Sequence, residues 1–250
     1  MAMNKYLSRI TLNVNGLNAP MKRHRIAEWI RKHDPHICCL QETHLMTKDL
    51  HRLKVRGWRK IIQANGQEKK AGVAILISDK TDFKNRAIKR DPDGHIIILK
   101  GRIHQEDISI VNIYAPNIGT PKYKKKILED FTNDIDSNTI IVGDLNTPLS
   151  KMDRSSKQNI NKDIVALNNA LDEMELTDIQ RAFHPKQAKY TFFSNAHGTF
   201  SKTDHMREHK ISPNKFKKIE IISSFFSDHK GLKLETNIKV NTSKHSKTWR

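Results

Sequence analysis

Short apolar, β-branched runs recur along the chain. They are Ile10-Thr11-Leu12, Ile37-Cys38-Cys39-Leu40, Val73 to Ile77, Ile96 to Leu99, Ile108 to Ile113, Ile140-Ile141-Val142 and Ile219 to Ile222. Each is short and bounded by Gly, Pro, Asp or Asn, which predicts strands rather than helices. Three other stretches carry apolar residues at spacings of three and four and predict amphipathic helices. Ile26, Trp29 and Ile30 share one face. Tyr123, Ile127, Leu128, Phe131 and Ile135 form a stripe after Pro121, and Ile164, Leu167, Leu171 and Met174 form another. Pro at a helix start and this spacing both favour the helical reading. Many strands with few helices between them predict an α/β architecture of sheets packed face to face with helices outside.

No internal repeat or linker interrupts residues 1–238, which read as one domain. Residues 239–250 are rich in Lys, Ser, Thr and Asn and read as a basic flexible tail. Trp249 near its end hints at continuation into a longer parent.

Composition changes the picture through charge. Of the 250 residues, 45 are Lys or Arg and 27 are Asp or Glu, for a formal charge of +18. Self-repulsion on this scale opposes compaction, and nucleic acid is the commonest polyanionic partner for such a surface. Cys38 and Cys39 are adjacent within an apolar run. They cannot form a disulfide framework, so they read as core thiols in a reducing compartment, nuclear or cytoplasmic. No apolar run approaches the roughly 20 residues that span a bilayer. The N-terminal stretch lacks a signal-peptide apolar segment, so secretion is not expected.

Candidate chemistry sits where the strands end. Leu12 leads to Asn13-Val14-Asn15-Gly16, and Leu40 to Gln41-Glu42-Thr43-His44. Ile113 leads to Tyr114-Ala115-Pro116-Asn117, Val142 to Gly143-Asp144-Leu145-Asn146, and Phe226 to Ser227-Asp228-His229. Taken singly, each is better read as a turn or a cap. Their joint occurrence at strand ends, where α/β proteins place functional groups, is what shifts the reading. Hard oxygen ligands such as Glu42, with nearby Asp and Asn, suit Mg²⁺ or Mn²⁺, whereas zinc would call for more thiolate or imidazole. Asp144 can orient or deprotonate a water, and His229 can stabilise charge on a phosphoryl oxygen. Together these are the equipment of phosphodiester hydrolysis. A Walker-type phosphate loop and a Gly-x-Ser-x-Gly elbow are both missing from the sequence.

These residues resemble the endonuclease/exonuclease/phosphatase superfamily, to which exonuclease III and the AP endonucleases belong. Its pattern of Asn-x-Asn-Gly, Gln-Glu-Thr, Tyr-x-Pro, Gly-Asp-x-Asn, a strand carrying Asp, and Ser-Asp-His appears here in order. The match is closer still to the endonucleases of LINE (long interspersed element) retrotransposons. Telling stretches are Leu12 to Asn18, Cys38 to His44, Lys69 to Leu76, Asn112 to Asn117, Asn138 to Asp144 and Tyr190 to Ser194.

The resemblance implies a four-layer α/β sandwich of two mainly antiparallel sheets. It implies that Glu42 is the principal metal ligand, aided by Asn15 and Asp228, with Mg²⁺ as cofactor and Mn²⁺ as a substitute. Asn13 would lie close to the metal or scissile phosphate, Asp144 would position or activate water, and Asn146 would hold water or phosphate. Tyr114 would bond the phosphate, His229 would stabilise the pentacoordinate state, and Asp204 would orient His229. Arg154, Thr191, Asn195, His197, Ser201 and Lys202 would meet the DNA. The implied reaction is a nick leaving a 3′-hydroxyl in A/T-rich double-stranded DNA, read partly by its shape. A reverse transcriptase would follow in a longer parent.

The strand around Asp204 departs from the family pattern. Thr203 stands where a buried aliphatic residue is usual, and a buried hydroxyl without a partner costs about 1–3 kcal/mol. Arg207 and Glu208 place charges where an apolar residue and Gly are usual, and Leu145 replaces Phe. Two alternatives stay open: an abasic-site endonuclease or exonuclease III-like repair nuclease of the same superfamily, and, from these departures, a catalytically impaired DNA-binding copy.

Overall fold

A computed structural model describes residues 6–116, 130–156, 160, 162–209 and 215–238. Two six-stranded sheets face each other. The first contains β1 (Tyr6–Asn13), β2 (Ile37–Gln41), β3 (Lys60–Ala64), β4 (Val73–Ile77), β13 (Phe216–Ile222) and β14 (Gly231–Asn237), in the order β13-β14-β1-β2-β4-β3. The second contains β5 (Phe83–Arg90), β6 (Ile96–Ile103), β7 (Glu106–Tyr114), β8 (Thr139–Asp144), β9 (Leu176–Asp178) and β12 (Asp204–His209), in the order β5-β6-β7-β8-β12-β9. Neighbours are antiparallel except for one parallel pair in each sheet, β1 with β2 and β7 with β8. A small hairpin, β10 (Phe192–Ser194) with β11 (Thr199–Ser201), stands apart from both. The architecture is the expected α/β sandwich.

Alternation along the strands builds three apolar layers. Cys39, Ile75, Ile97, Leu99, Ile110 and Val142 point between the sheets. Cys38, Leu40, Ala74 and Leu76 point the other way and pack on Ile26, Trp29 and Ile30 of α1 (Pro20–His33). Ile98, Val111, Ile113 and Ile141 pack on Leu167 and Leu171 of α2 (Lys162–Glu173). The adjacent cysteines thus face opposite layers, and both are buried and free. Period-two alternation makes this unavoidable for neighbours in a strand covered on both faces. A third helix, α3 (Ile179–Phe183), is short and is capped by the Asp178 carboxylate on the Arg181 N–H.

All seven apolar runs lie in strands. The first and third predicted helices are α1 and α2, with Met174 just past the end of α2. Of the second, residues 121–129 lie outside the described residues. Asp130 is helical, and beyond it Phe131 and Ile135 flank a single 3₁₀ turn over Thr132–Asp134, where both pack on the α2 layer. No described helix is long and apolar enough to cross a membrane. The predicted tail, 239–250, falls outside the described residues.

Candidate active site

The carboxyl ends of both parallel strand pairs open on the same side of the sandwich, so β1, β2, β7 and β8 deliver their terminal side chains to one place. Asn13 ends β1 and is fully buried. Its amide nitrogen donates to Glu42 Oε1 at 2.9 Å and to Asp144 Oδ2 at 2.8 Å, tying the two sheets together at the site. Its amide oxygen accepts the Asn15 N–H at 2.9 Å, closing a turn that holds Asn15 at φ +46°. Asn15 in turn donates to Asp228 Oδ1 at 3.2 Å.

Glu42 follows β2 at φ +51°, an uncommon conformation for a non-glycine residue. Backbone bonds on both sides hold it, from Gly16 N to Glu42 O at 2.7 Å and from Thr43 N to Gly72 O at 3.0 Å. Burial alone would raise its carboxyl. Hydrogen bonds from His44, Asn13 and Tyr114 outweigh this and hold it below its ordinary range. Behind it, Gln41 donates to Thr11 Oγ1 at 2.9 Å and to Asn112 Oδ1 at 2.6 Å, while Asn112 donates to the Leu40 and Ala74 carbonyls. This inter-sheet amide network fixes the strand ends beneath the site.

Asp144 closes β8. Gly143 before it sits at φ +137°, and a Cβ there would meet the Ile113 carbonyl oxygen at 1.9 Å, so only glycine lets β8 lie this close to β7. Asp144 is fully buried and accepts the Asn146 N–H at 2.7 Å, while the Asn146 amide donates to Ala115 O at 2.8 Å. Burial, and then the nearby charge of Asp204, push the Asp144 carboxyl upward.

Asp204 begins β12 opposite Asp144, and its Oδ2 lies 2.9 Å from His229 Nδ1. His229 Nε2 is 3.9 Å from Asp144 Oδ2. The ring rests against Phe192 at a centroid distance of 4.7 Å. Burial would lower this histidine, but the Asp204 charge and hydrogen bond, with Asp144 and Asp228 behind them, raise it to about 10. It is therefore a buried imidazolium at neutral pH, held between two carboxylates.

Two carboxyls with opposed proton affinities and one fixed cation form a site able to bind a phosphodiester and divide acid and base roles. For a divalent cation, the donor chemistry fits. Glu42 is anionic and partly exposed, Asp228 and Asn15 reach one another on the exposed side, and all three offer hard oxygen donors. Asp144, Asp204 and His229 also have ligand atoms within 4.8 Å of one another. That group is occupied by its own ion pairing and is better read as the base and imidazolium part of the site.

Several predicted positions need correction. The resemblance places Lys202 at the DNA, but it is only 2% exposed and its Nζ lies 2.6 Å from Asp178 Oδ2. Thr191 is also buried, and its hydroxyl accepts the Thr203 and Asp204 N–H groups, each at 3.3 Å, so it supports β12 from within. The Thr203 hydroxyl is not orphaned, since it donates to Asp204 Oδ2 at 3.4 Å. Arg207 is buried and donates to Leu176 O at 2.8 Å, and buried Glu208 accepts from Lys215. Asn195 and His197 are exposed at the tip of the β10–β11 hairpin. Ser201 pairs with Arg154 at its base. Quoted in the motifs but given no role by the reading from sequence were Gln41, Asn112, His44 (3.4 Å from Glu42 Oε2) and Ser227, whose hydroxyl donates to Asn13 O at 2.8 Å. Gln41, His44 and Ser227 are close neighbours of Glu42 or Asp228 in the chain, and that adjacency was the available signal.

Residues 10–229 match the model of the Endonuclease/Exonuclease/phosphatase family, so the chain belongs to that family and is an enzyme of its hydrolase class. Over 216 residues the chain is 25% identical to a DNA-(apurinic or apyrimidinic site) endonuclease of Dictyostelium discoideum. That match covers 77% of this chain and 58% of the relative. It is 27% identical over 207 residues to the DNA repair nuclease APEX1 of Danio rerio, covering 73% and 64%. The chain thus spans about three fifths of these relatives. Its fold is similar to the APE2 catalytic domain of Xenopus laevis, with a TM-score of 0.78 at 18% identity and 94% of each chain covered. It is equally similar to the AP endonuclease LMAP of Leishmania major, with a TM-score of 0.78 at 15% identity, covering 94% of this chain and 88% of that one.

Proposed function

We propose that this enzyme is a divalent-metal-dependent DNA endonuclease that hydrolyses the phosphodiester backbone and leaves a 3′-hydroxyl. The observation that carries this reading is the meeting of anionic Glu42, proton-accepting Asp144 and the Asp204–His229 ion pair at one end of both sheets. The basic surface of the chain suits a polyanionic substrate. Asp144 orients the attacking water and takes its proton at a carboxylate oxygen as the water oxygen bonds to phosphorus and the P–O3′ bond breaks, the leaving 3′-oxygen taking its proton from solvent. His229, held in line by Asp204, donates toward a phosphoryl oxygen as negative charge grows there, and Tyr114 and Asn146 bind the phosphate. Glu42, Asn15 and Asp228 would hold Mg²⁺ or Mn²⁺, which when bound supplies Lewis-acid stabilisation of the phosphate charge.

For the substrate, the curated relatives support an abasic-site or exonuclease III-like nuclease over a retrotransposon-type one. The second reading, nicking of intact A/T-rich duplex to prime a reverse transcriptase in a longer parent, rests on the quoted motifs and on the hairpin. Its β10–β11 turn is short, and only Asn195 to Gly198 connect its strands, too few for a large abasic-site wedge.

Cleavage of an abasic oligonucleotide and of an intact A/T-rich duplex in Mg²⁺ separates the readings. A preference for the abasic substrate of about 100-fold in kcat/KM selects the first. Equal or better cleavage of intact duplex selects the second. Folded protein that cleaves neither sinks the nuclease reading and leaves an impaired DNA-binding copy.

A further inference from the structure

We infer that Phe225 and the basic face of α1 form a second DNA-contacting surface beside the scissile phosphate, with Phe225 packing against bases or sugars. This rests on the nuclease reading for its substrate. Phe225 is 73% exposed, more than any other large hydrophobic residue among those described, and it precedes Asp228 by three residues. A single exposed phenylalanine is unremarkable on a protein surface. This one sits in a loop that is anchored to the fold. Its ring meets Phe226 edge-on at 5.3 Å, and Phe226 meets Trp29 of α1 edge-on at 5.9 Å. Trp29 Nε1 donates to Ser223 O at 3.0 Å, and Ser224 Oγ donates to His229 O at 2.6 Å, so both ends of the loop are tied. The backbone that carries Phe225 is thus tied on both sides, and the ring itself stands open to solvent.

The flanking surface has the matching charge. α1 carries five Lys or Arg residues and one acid, Glu28, over Pro20–His33. Exposed Arg25, Arg31 and Lys32 line a cleft of about 730 Å³ that Phe225 borders. Glu28 also lines the cleft, 4.0 Å from Arg31, and Lys22, in the first turn of α1, reaches Asn15 O at 2.6 Å, so the start of this helix meets the site. Apolar side chains beside cations are the usual means of gripping a nucleic-acid strand: the ring packs on bases or wedges a step, and the cations neutralise phosphates.

The test is binding of a fluorescent A/T-rich duplex by anisotropy, without metal so that no cleavage occurs, across a salt series. Phe225→Ala should weaken binding by about 5- to 150-fold, the range for loss of one stacked base. Arg25→Ala combined with Lys32→Ala should flatten the salt slope by about 0.9 for each phosphate that is no longer neutralised. Melting temperatures should be unchanged because all three residues are exposed. Wild-type affinity and slope in both variants overturn the inference, as does failure of the wild type to bind duplex. So does concentration-dependent dimerisation that Phe225→Ala abolishes while DNA affinity stays unchanged. Nicking assayed in parallel keeps the two readings apart. Weakened binding in a protein that never cleaves overturns only the nuclease reading, and normal binding by Phe225→Ala in a protein that cleaves overturns only this one.

Discussion

Replacing Asp178 by asparagine tests whether the strand that carries Asp204 is held by a buried ion network. Lys202 is 2% exposed and its ammonium lies 2.6 Å from Asp178 Oδ2, with His205 Nδ1 at 3.2 Å from the same oxygen. Asparagine keeps an oxygen for the Arg181 N–H, so the helix cap is preserved, while its amide NH2 replaces the oxygen that Lys202 and His205 meet, so both the charge and that acceptor are lost. A buried ammonium left without its partner costs about 3–5 kcal/mol. For a chain of this size that lowers Tm by about 10 °C, taking roughly 2–4 °C per kcal/mol. Urea unfolding of Asp178→Asn, Lys202→Met and the double variant measures the coupling. Lys202→Met should recover most of the loss when added to Asp178→Asn. The acid side follows from the carboxyl. Although burial would raise Asp178, His205, Lys202 and Arg207 hold it well below the usual carboxylate range. Its contribution is therefore complete above the unfolded value of about 3.9 and is lost as pH falls through the lower folded value. The gap between wild type and Asp178→Asn should be constant from about pH 5 to 7 and shrink at lower pH. A cost below about 1 kcal/mol, or no recovery in the double variant, would refute the network.

Other expectations follow from the site. His229→Ala should reduce kcat for DNA cleavage by at least about 100-fold with little change in KM. Thr191→Val should lower kcat and cost about 1–3 kcal/mol in urea, because two buried N–H groups lose their acceptor, while leaving the salt dependence of DNA binding unchanged. Added Mg²⁺ should raise the Tm of the wild type but not of Glu42→Ala, which differential scanning calorimetry reads directly.

Much of this architecture was legible because its signal is local. Ile37 to Leu40, Val73 to Ile77 and Ile140 to Val142 are covered on both faces, so their strands read as unbroken apolar runs. β5 escaped because only Phe83 in it is buried, and the rest of Lys-Asn-Arg-Ala-Ile-Lys-Arg lies along a solvated edge. The polar residues that end strands were visible for the same reason that the strands were. What lay hidden was tertiary. Whether Lys202 faces DNA or Asp178, and whether Thr203 has a partner, depends on how β9, β12 and the segment at Thr191 meet across the fold. No periodicity encodes that. Asp204 and Glu208 show the contrast, since Asp204 faces the site while Glu208, two pleats along the same face, meets Lys215.

The central claim is that Glu42, Asp144 and the Asp204–His229 pair form one metal-assisted phosphodiesterase site. Supercoiled plasmid incubated with the protein and Mg²⁺ should convert to nicked circles whose 3′ ends a DNA polymerase can extend. Conversion should cease with chelator, and in Glu42→Ala and His229→Ala variants that remain folded. Nicking that persists in chelator or in both variants would contradict the account, as would nicks that no polymerase extends.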